Sequence, residues 1–184
     1  MTGAAAAKQA LRLEMLARLR AVSPEARARE SLEIVTQVLM SPHWLRARCV
    51  MLFAPMPEEP DLMPLIPAAG GRRLCFPMVE PDGTMTARET HILTPGRWRV
   101  PEPPPEAAVV DPSEIDLVLV PGLAFTMAGD RMGRGRGHYD RFLGNTSAVR
   151  IGIALSCQVV DALPVEAHDF PLEGIMQGGA SPYR

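Results

Sequence analysis

Four short apolar segments, separated by helical or loop-forming sequence, constrain the fold most strongly. They span residues 48–54, 73–76, 115–120 and 149–155. Nearly continuous apolar runs of this length are typical of strands that are buried on both faces of a parallel sheet. Helical patterns alternate with these strands, as in α/β proteins. The sequence therefore predicts a three-layer α/β fold with a mostly parallel sheet and helices on both of its faces.

Local patterns place the other elements. An amphipathic pattern predicts a helix over 6–20. Ser23 and Pro24 are typical of an N-cap and a first turn, and the helix that follows should end near Met40, with Leu32 among its inward-facing residues. The remaining predictions are a short helix over 62–69 capped by Asp61, a hairpin over 78–89, an irregular connector over 94–105, a helix over 139–143, a loop over 163–171 and a frayed tail over 178–184.

Length and charge limit the class of protein. A chain of 184 residues can bury a complete core as one domain, here 1–184. A net charge of −2 argues against binding to nucleic acid or to an anionic membrane, so any anion site must be local. No apolar run is long enough to span a bilayer, and the first residues do not form a signal peptide. Three widely spaced cysteines predict reduced thiols in a cytoplasmic protein.

The segment 130–140, with sequence DRMGRGRGHYD, is the strongest functional motif. It follows a predicted strand and precedes a predicted helix, and glycine lets backbone N–H groups come close to an anion while arginine supplies forked donors. The glycine spacing matches neither a Walker A motif nor the dinucleotide fingerprint. Three interpretations remain: a flexible surface loop, a clamp for single-stranded RNA, or a polyphosphate site.

Acidic residues follow two of the strands. Glu58, Glu59 and Asp61 form a cluster after the first strand, where they either bind a substrate amine, an amide or a metal or belong to a solvated loop with a helix cap. Asp140 either caps the following helix or holds Mg²⁺ against nucleotide phosphates. Because ligands of parallel sheets bind beyond the carboxyl ends of strands, the loops 55–61 and 121–138 are expected to face one crevice.

Two further pairs are ambiguous by themselves. Lys8, the only lysine of the chain, and Arg12 lie four residues apart and project from one face of the first helix. They form either a solvated basic face or the two sides of an anion site. His168 and Asp169 form either a surface turn or part of a functional site.

The order of these motifs resembles the 5-formyltetrahydrofolate cyclo-ligase family, also called methenyltetrahydrofolate synthetases, over nearly the full chain. The most specific element is Gly-x-Gly-x-Gly-x-Tyr-Asp over 133–140, preceded by Pro-Gly-x-x-Phe over 121–125. Weaker elements are Lys-x-x-x-Arg over 8–12, Glu-x-Asp over 59–61, the 71–77 strand, the 98–103 connector and Leu-Pro-Val-Glu-x-His-Asp over 163–169. The resemblance implies a Rossmann-like fold of the cyclo-ligase type.

The resemblance also implies an enzyme that uses ATP and Mg²⁺ to convert 5-formyltetrahydrofolate, with or without a polyglutamate tail, into 5,10-methenyltetrahydrofolate, ADP and phosphate. The formyl oxygen attacks the γ-phosphate, and N10 of the folate then displaces the phosphate from the formyl carbon. The partner is a small molecule, and the enzyme is expected to act as a monomer. A folate- or nucleotide-binding paralogue with little turnover is the alternative.

The motifs imply roles for individual residues. Arg134, Tyr139 and Glu59 are the expected catalytic residues, Ala54 and Glu59 the expected substrate contacts, and Asp140 and Asp169 the expected Mg²⁺ ligands. The expected ATP contacts are Lys8, Arg12, Arg131, Met132, Gly133, Arg134, Gly135, Arg136, Gly137, His138 and Tyr139. Three positions depart from the family pattern, with His138 in place of the first of two tyrosines, Leu62 in place of Thr and Glu173 in place of Asp.

Overall fold

The computed structural model describes residues 3–96, 100–164 and 170–179. The α-helices of the described residues are α1 (Gly3–Ala21), α2 (Pro24–Met40), α3 (Pro42–Arg46) and α4 (His138–Leu143). The strands are β1 (Cys49–Met51), β2 (Arg73–Val79), β3 (Met85–Glu89), β4 (Thr94–Pro95), β5 (Pro101–Glu102), β6 (Val109–Val110), β7 (Leu117–Val120), β8 (Ala124–Phe125), β9 (Arg131–Met132), β10 (Val149–Ala154) and β11 (Gly174–Gln177).

The central sheet has the strand order β11-β10-β7-β1-β2-β3-β6. The first five strands in this order are parallel, and β3 and β6 extend the sheet with antiparallel pairing. Two small antiparallel pairs, β4-β5 and β8-β9, lie outside it. Because β1 and β7 are parallel neighbours, the loops that follow them leave the same edge of the sheet.

Apolar side chains cover both faces of the sheet. On one face, residues of α2 such as Ile34 and Val38 pack against Leu52, Leu74 and Leu119. On the other face, Phe142 and Leu143 of α4 pack against Met51, Val118 and Val120. The predicted α/β class, with a mostly parallel sheet and helices on both faces, is confirmed. None of the described helices has the length and apolar character needed to cross a membrane.

A third apolar cluster attaches the N-terminal helix. Met15 and Leu19 of α1 are fully buried against Leu123, Met132 and Leu155, which follow or belong to β7, β9 and β10. The helix therefore lies beside the segments that leave the carboxyl end of the sheet.

Helix starts follow the predicted signals, with one addition. Ser23 accepts a hydrogen bond from the backbone N–H of Ala26 at 3.1 Å at the start of α2. Ser41 ends α2 as predicted but also caps α3, because its hydroxyl accepts from the N–H of Trp44. The prediction for Leu32 is wrong, since this side chain is 64% exposed and Ile34 is buried instead.

The structure also departs from the predicted strands and loops. Strand β2 continues through Pro77, which is tolerated because β1 pairs with β2 only as far as Cys75. The helix predicted over 62–69 is only a 3-10 turn, Met63–Leu65, with Pro64 inside it and Pro67 after it. The predicted cap is wrong, because Leu62 is the N-cap; Asp61 precedes it and accepts from the N–H of Met63.

The end of the chain holds an unpredicted strand. Strand β11 pairs parallel to β10 along its full length. After it, the N–H of Gly178 donates to Ala154 and that of Gly179 to Glu33, so the frayed tail is wrong for these two residues. The rest of the predicted tail, 180–184, lies outside the described residues.

Candidate active site

The glycine-rich loop begins as a hairpin and ends as a helix. Strands β8 and β9 pair, with Phe125 opposite Arg131, and the chain then runs through Gly133 to Gly137 into α4. Gly135 has a φ of 93° and Gly137 a φ of 65°, a left-handed conformation that side chains other than glycine adopt with strain. The loop thus turns twice in five residues and leaves Arg134 and Arg136 exposed.

The loop that follows β1 meets this glycine-rich loop. Arg134 donates to Glu59 Oε1 from Nη2 at 3.1 Å and from Nε at 3.3 Å. The second oxygen, Oε2, accepts from the backbone N–H of Met56 at 3.1 Å. Only 8% of the Glu59 side chain is exposed, against 31% for Arg134. The loops 55–61 and 121–138, which were expected to face one crevice, are therefore adjacent in the structure, and an ion pair joins them.

Helix α1 also contacts the glycine-rich loop. Arg12 Nε donates to the carbonyl oxygen of Gly133 at 3.2 Å. A Cβ on Gly135 would lie 3.3 Å from Arg12 Cζ, so the glycine allows this close approach. Lys8 lies one turn earlier and is 9% exposed. Of the two cations predicted on this helix face, Arg12 contacts the glycine-rich loop and Lys8 is buried one turn before it.

The Arg131 side chain points into the protein and contacts Tyr139 and Asp140 in the first turn of α4. Its Nη2 donates to Asp140 Oδ1, its Nη1 donates to the carbonyl oxygen of Pro121 at 3.3 Å, and its Cζ lies 5.7 Å from the ring centroid of Tyr139. The Arg131 side chain is 4% exposed and that of Asp140 is 26% exposed. The N-cap of α4 is Gly137, so Asp140 does not act as the predicted N-cap.

Tyr139 brings a phenol into the same region. Its hydroxyl is buried and has no hydrogen-bond partner among the residues that the structure describes. Burial raises the pKa of the Tyr139 hydroxyl well above its usual value, and the Glu59 carboxylate raises this pKa further. The phenol is therefore neutral at physiological pH and can donate its proton in a hydrogen bond to a group that enters the site.

Four other expected site residues are Met132, His138, Ala54 and Asp169. The Met132 side chain is 4% exposed and packs with Met15 and Leu19, so only its backbone can face a ligand. His138 Nδ1 lies 3.1 Å from the carbonyl oxygen of Gly83, in the turn between β2 and β3. Ala54 lies at the end of the apolar run that follows β1 and is 9% exposed. Asp169 and its neighbour His168 lie outside the described residues.

The other two residues that depart from the family pattern, Leu62 and Glu173, make contacts that hold the fold together. Leu62 is fully buried in the core beneath α2, where a threonine hydroxyl would be desolvated. Glu173 accepts from the N–H of Arg150 at 2.7 Å and from its guanidinium, which joins the start of β10 to the segment before β11. The hydrogen bonds of Glu173 go to Arg150 and not to the glycine-rich loop.

Supporting residues were missed by sequence reasoning. Gln158 is fully buried; its Oε1 accepts from the N–H of Leu155 at 2.7 Å, and its Nε2 donates to the carbonyl oxygen of Gly122 at 2.7 Å. It fastens the end of β10 to the end of β7 beneath the site. Ser31 of α2 accepts from the N–H of Asp61 at 2.9 Å and so anchors the loop that carries Glu59. Gln158 lies four residues after the end of β10, in the 3-10 turn Ser156–Gln158, so its position in the sequence did not signal this role.

The described residues contain no group of three or more His, Cys, Asp or Glu side chains arranged to hold a metal. Mg²⁺ is commonly bound by one or two carboxylates together with substrate phosphates. Asp140 fits this role, because Arg131 engages only Oδ1 and the carboxylate is partly exposed at the glycine-rich loop.

Comparison with known proteins agrees with this geometry. The model of the 5-formyltetrahydrofolate cyclo-ligase family matches residues 4–178. The chain belongs to this family. It is 32% identical over 170 residues to the 5-formyltetrahydrofolate cyclo-ligase of Escherichia coli K12, covering 86% of this chain and 93% of the relative. The mouse enzyme of the same name is 26% identical over 188 residues, with 92% and 93% covered.

Solved structures of cyclo-ligases share the fold. The 5,10-methenyltetrahydrofolate synthetase of Aquifex aeolicus superposes with a TM-score of 0.83 at 32% identity, covering 92% of this chain and 89% of the other. The synthetase of Mycoplasma pneumoniae gives 0.75 at 24% identity, with 92% and 97% covered. The family and the fold predicted from the motifs are therefore confirmed, and the chain is an enzyme of the ligase class.

Proposed function

We propose that the chain uses ATP and Mg²⁺ to convert 5-formyltetrahydrofolate into 5,10-methenyltetrahydrofolate, ADP and phosphate. The observation that carries this proposal is the pairing of Arg134 with Glu59 across the crevice. One partner belongs to the glycine-rich loop that is expected to bind phosphates and the other to the loop expected to contact folate. A site that uses both ligands requires these two loops to be adjacent.

The reaction needs little covalent help from the protein. The formyl oxygen is a poor leaving group until the γ-phosphoryl group is transferred to it, and N10 of the folate can then displace it as phosphate. In phosphoryl transfer, catalysis comes mainly from positioning and from neutralisation of charge. The chain supplies cations for this purpose on two sides of the crevice, in the glycine-rich loop and on α1.

The nucleotide is assigned to the glycine-rich loop. The backbone of 133–139, with Arg134 and Arg136, would surround the phosphates, while Lys8 and Arg12 would approach them from α1. Asp140 and Asp169 would hold Mg²⁺, which when bound neutralises phosphate charge. Arg134 has the exposure and the freedom to leave Glu59 for the transferred group, since about a third of its side chain is accessible.

The folate is assigned to the loop after β1. A carboxylate such as Glu59 accepts hydrogen bonds from the N–H groups of a pterin, and Ala54 leaves room for a ring beside the strand end. Tyr139 has a buried hydroxyl without a partner next to this region, and as a neutral phenol it can donate to the formyl or phosphoryl oxygen. The expected monomeric state and cytoplasmic location remain predictions from the sequence.

The test is a spectroscopic assay of the purified chain. 5-Formyltetrahydrofolate, ATP and protein are mixed with and without Mg²⁺, and formation of methenyltetrahydrofolate is followed by its near-ultraviolet absorbance. We expect an increase only with both ATP and Mg²⁺, a loss of at least 100-fold in Arg134→Ala, and no change in Arg20→Ala, which removes an exposed arginine at the end of α1. Tight binding of ADP without any absorbance change would identify the paralogue without turnover instead.

A further inference from the structure

The loop that carries Glu59 has few backbone donors that could fasten it. Three of its seven residues, 55–61, are prolines, which have no backbone N–H. Two of the remaining N–H groups are used inside the loop, because Met56 donates to Glu59 Oε2 at 3.1 Å and Glu59 donates to the Met56 carbonyl oxygen at 2.9 Å. The position of Glu59 therefore depends on a small number of bonds to the rest of the chain.

Two distant parts of the chain hold this loop by hydrogen bonds among the described residues. Arg134 donates to the side chain of Glu59, and Ser31 of α2 accepts from the backbone N–H of Asp61 at 2.9 Å. Ser31 is 4% exposed, and its hydroxyl donates to the carbonyl oxygen of Arg27 at 2.7 Å. Because α2 packs on the central sheet and fixes this hydroxyl, Ser31 is a rigid anchor for the loop.

The two links behave differently in the proposed reaction. Arg134 leaves Glu59 for the transferred phosphoryl group, so its bond to the loop is lost at that point. The other link joins a buried hydroxyl to a backbone N–H, and neither group is assigned to ATP or Mg²⁺. After Arg134 has moved, the bond to Ser31 is the remaining hydrogen bond from a distant described residue to the loop.

We infer that Ser31 is a positioning residue that keeps Glu59 at the pterin after Arg134 has moved to the nucleotide. This inference rests on the proposed function. Ser31 acts through the backbone of Asp61, two residues after Glu59. Without the hydroxyl, folate would have to order the loop when it binds, and that cost weakens its binding.

The test is isothermal titration calorimetry of 5-formyltetrahydrofolate, with and without saturating Mg²⁺ and AMP-PNP, a non-hydrolysable ATP analogue. In Ser31→Ala we expect the folate affinity to fall by less than about twofold without the nucleotide and by about 5–10-fold with it, within the range of one net hydrogen bond. The affinity for AMP-PNP alone should stay within about twofold of wild type. An equal loss of folate affinity in both conditions, or no loss in either, would overturn the inference.

Thr36→Ala is the matched control on the same helix. The Thr36 hydroxyl also donates to the carbonyl oxygen four residues earlier, that of Leu32, at 2.8 Å, but Thr36 is exposed and makes no hydrogen bond to the loop among the described residues. Thr36→Ala should leave the folate affinity unchanged in both conditions. Ser31→Thr keeps a hydroxyl that can bond the same carbonyl oxygen, so it should bind folate like wild type. A loss in Thr36→Ala as large as in Ser31→Ala, or a Ser31→Thr variant that behaves like Ser31→Ala, would contradict the inference.

Hydrogen exchange on wild type covers the case in which the Ser31 variants do not fold. The Asp61 amide proton, followed by ¹⁵N NMR, should exchange slowly in the free enzyme and also with Mg²⁺ and AMP-PNP bound, because its partner is the buried Ser31 hydroxyl. Fast exchange of this proton in the nucleotide complex would refute the inference. Absence of AMP-PNP binding or of folate binding by wild type would instead refute the proposed function, so the two failures are distinguishable.

Discussion

The ion pair between Glu59 and Arg134 should couple the two loops of the crevice energetically. The perturbations are Glu59→Gln, Arg134→Gln and the double variant, which form a thermodynamic cycle. Arg134 makes two hydrogen bonds to one carboxylate oxygen, at 3.1 Å and 3.3 Å. A hydrogen bond to a charged group contributes about 1.5–3 kcal/mol, and a fully exposed pair contributes about 0.2–1 kcal/mol.

The expected coupling lies between these limits. Glu59 is buried, but Arg134 is 31% exposed, so solvent screens part of the attraction. We expect a coupling free energy of about 1–2 kcal/mol, measured by urea unfolding of the four proteins. Each single variant should lower the midpoint temperature by about 2–4 °C per kcal/mol in a chain of this size. Additive effects within about 0.3 kcal/mol would refute the pair as a link between the loops.

The same pair should compete with a nucleotide for Arg134. Glu59→Gln releases the guanidinium, so we expect ADP to bind about 5–30-fold more tightly, which corresponds to the coupling free energy. Glu58→Gln removes the same charge from a carboxylate 4.0 Å from Arg134 and serves as the matched control, with a smaller gain expected. Equal gains in both variants would mean that net charge, and not the specific bond, controls access to Arg134.

Further predictions concern the scaffold and its pH dependence. Gly178→Ala should destabilise the fold by about 1–3 kcal/mol in urea unfolding, because the new Cβ would lie 2.4 Å from Glu30 Cβ on α2; a change below about 0.5 kcal/mol would mean that this segment is frayed after all. Gln158→Leu should cost about 1–3 kcal/mol, since two buried backbone groups lose their partner, and unchanged stability would remove its role as a fastener. Burial opposes ionisation of Asp116, but N–H donors from Cys49 and Arg48 outweigh it and lower its pKa. Its contribution is therefore complete above the unfolded pKa of about 3.9 and lost as pH falls through the lower folded value, so Asp116→Asn should flatten the acid limb of stability against pH.

The sequence predicted the parts of the site that depend on local pattern. Buried strands 48–54 and 115–120 were enough to predict that the loops carrying Glu59 and Arg134 are adjacent, because parallel strands end at the same edge. The segment 130–140 was predicted to lie between a strand and a helix, and it leads into α4. Arg12 contacts that loop, and Lys8 lies on the same face of the helix because a helix presents residues four apart on one face.

Other features depend on tertiary contacts that a single sequence does not contain. The inward direction of Arg131 is set by Asp140 and by the Pro121 carbonyl, and nothing in the local pattern separates it from Arg134. Strand β11 is four residues long and gains its order from pairing with β10. Helix α3 was missed because Pro42 is as typical of a helix start as of a helix end.

The central claim is that nucleotide and folate occupy one crevice, with Arg134 at the transferred phosphoryl group and Glu59 at the pterin. A crystal structure with 5-formyltetrahydrofolate, Mg²⁺ and a non-hydrolysable ATP analogue tests it most directly. We expect the terminal phosphate within hydrogen-bond distance of Arg134 and the formyl oxygen next to its phosphorus atom. Ligands on opposite sides of the sheet, or an Arg134 that still pairs with Glu59 in the ternary complex, would contradict the claim.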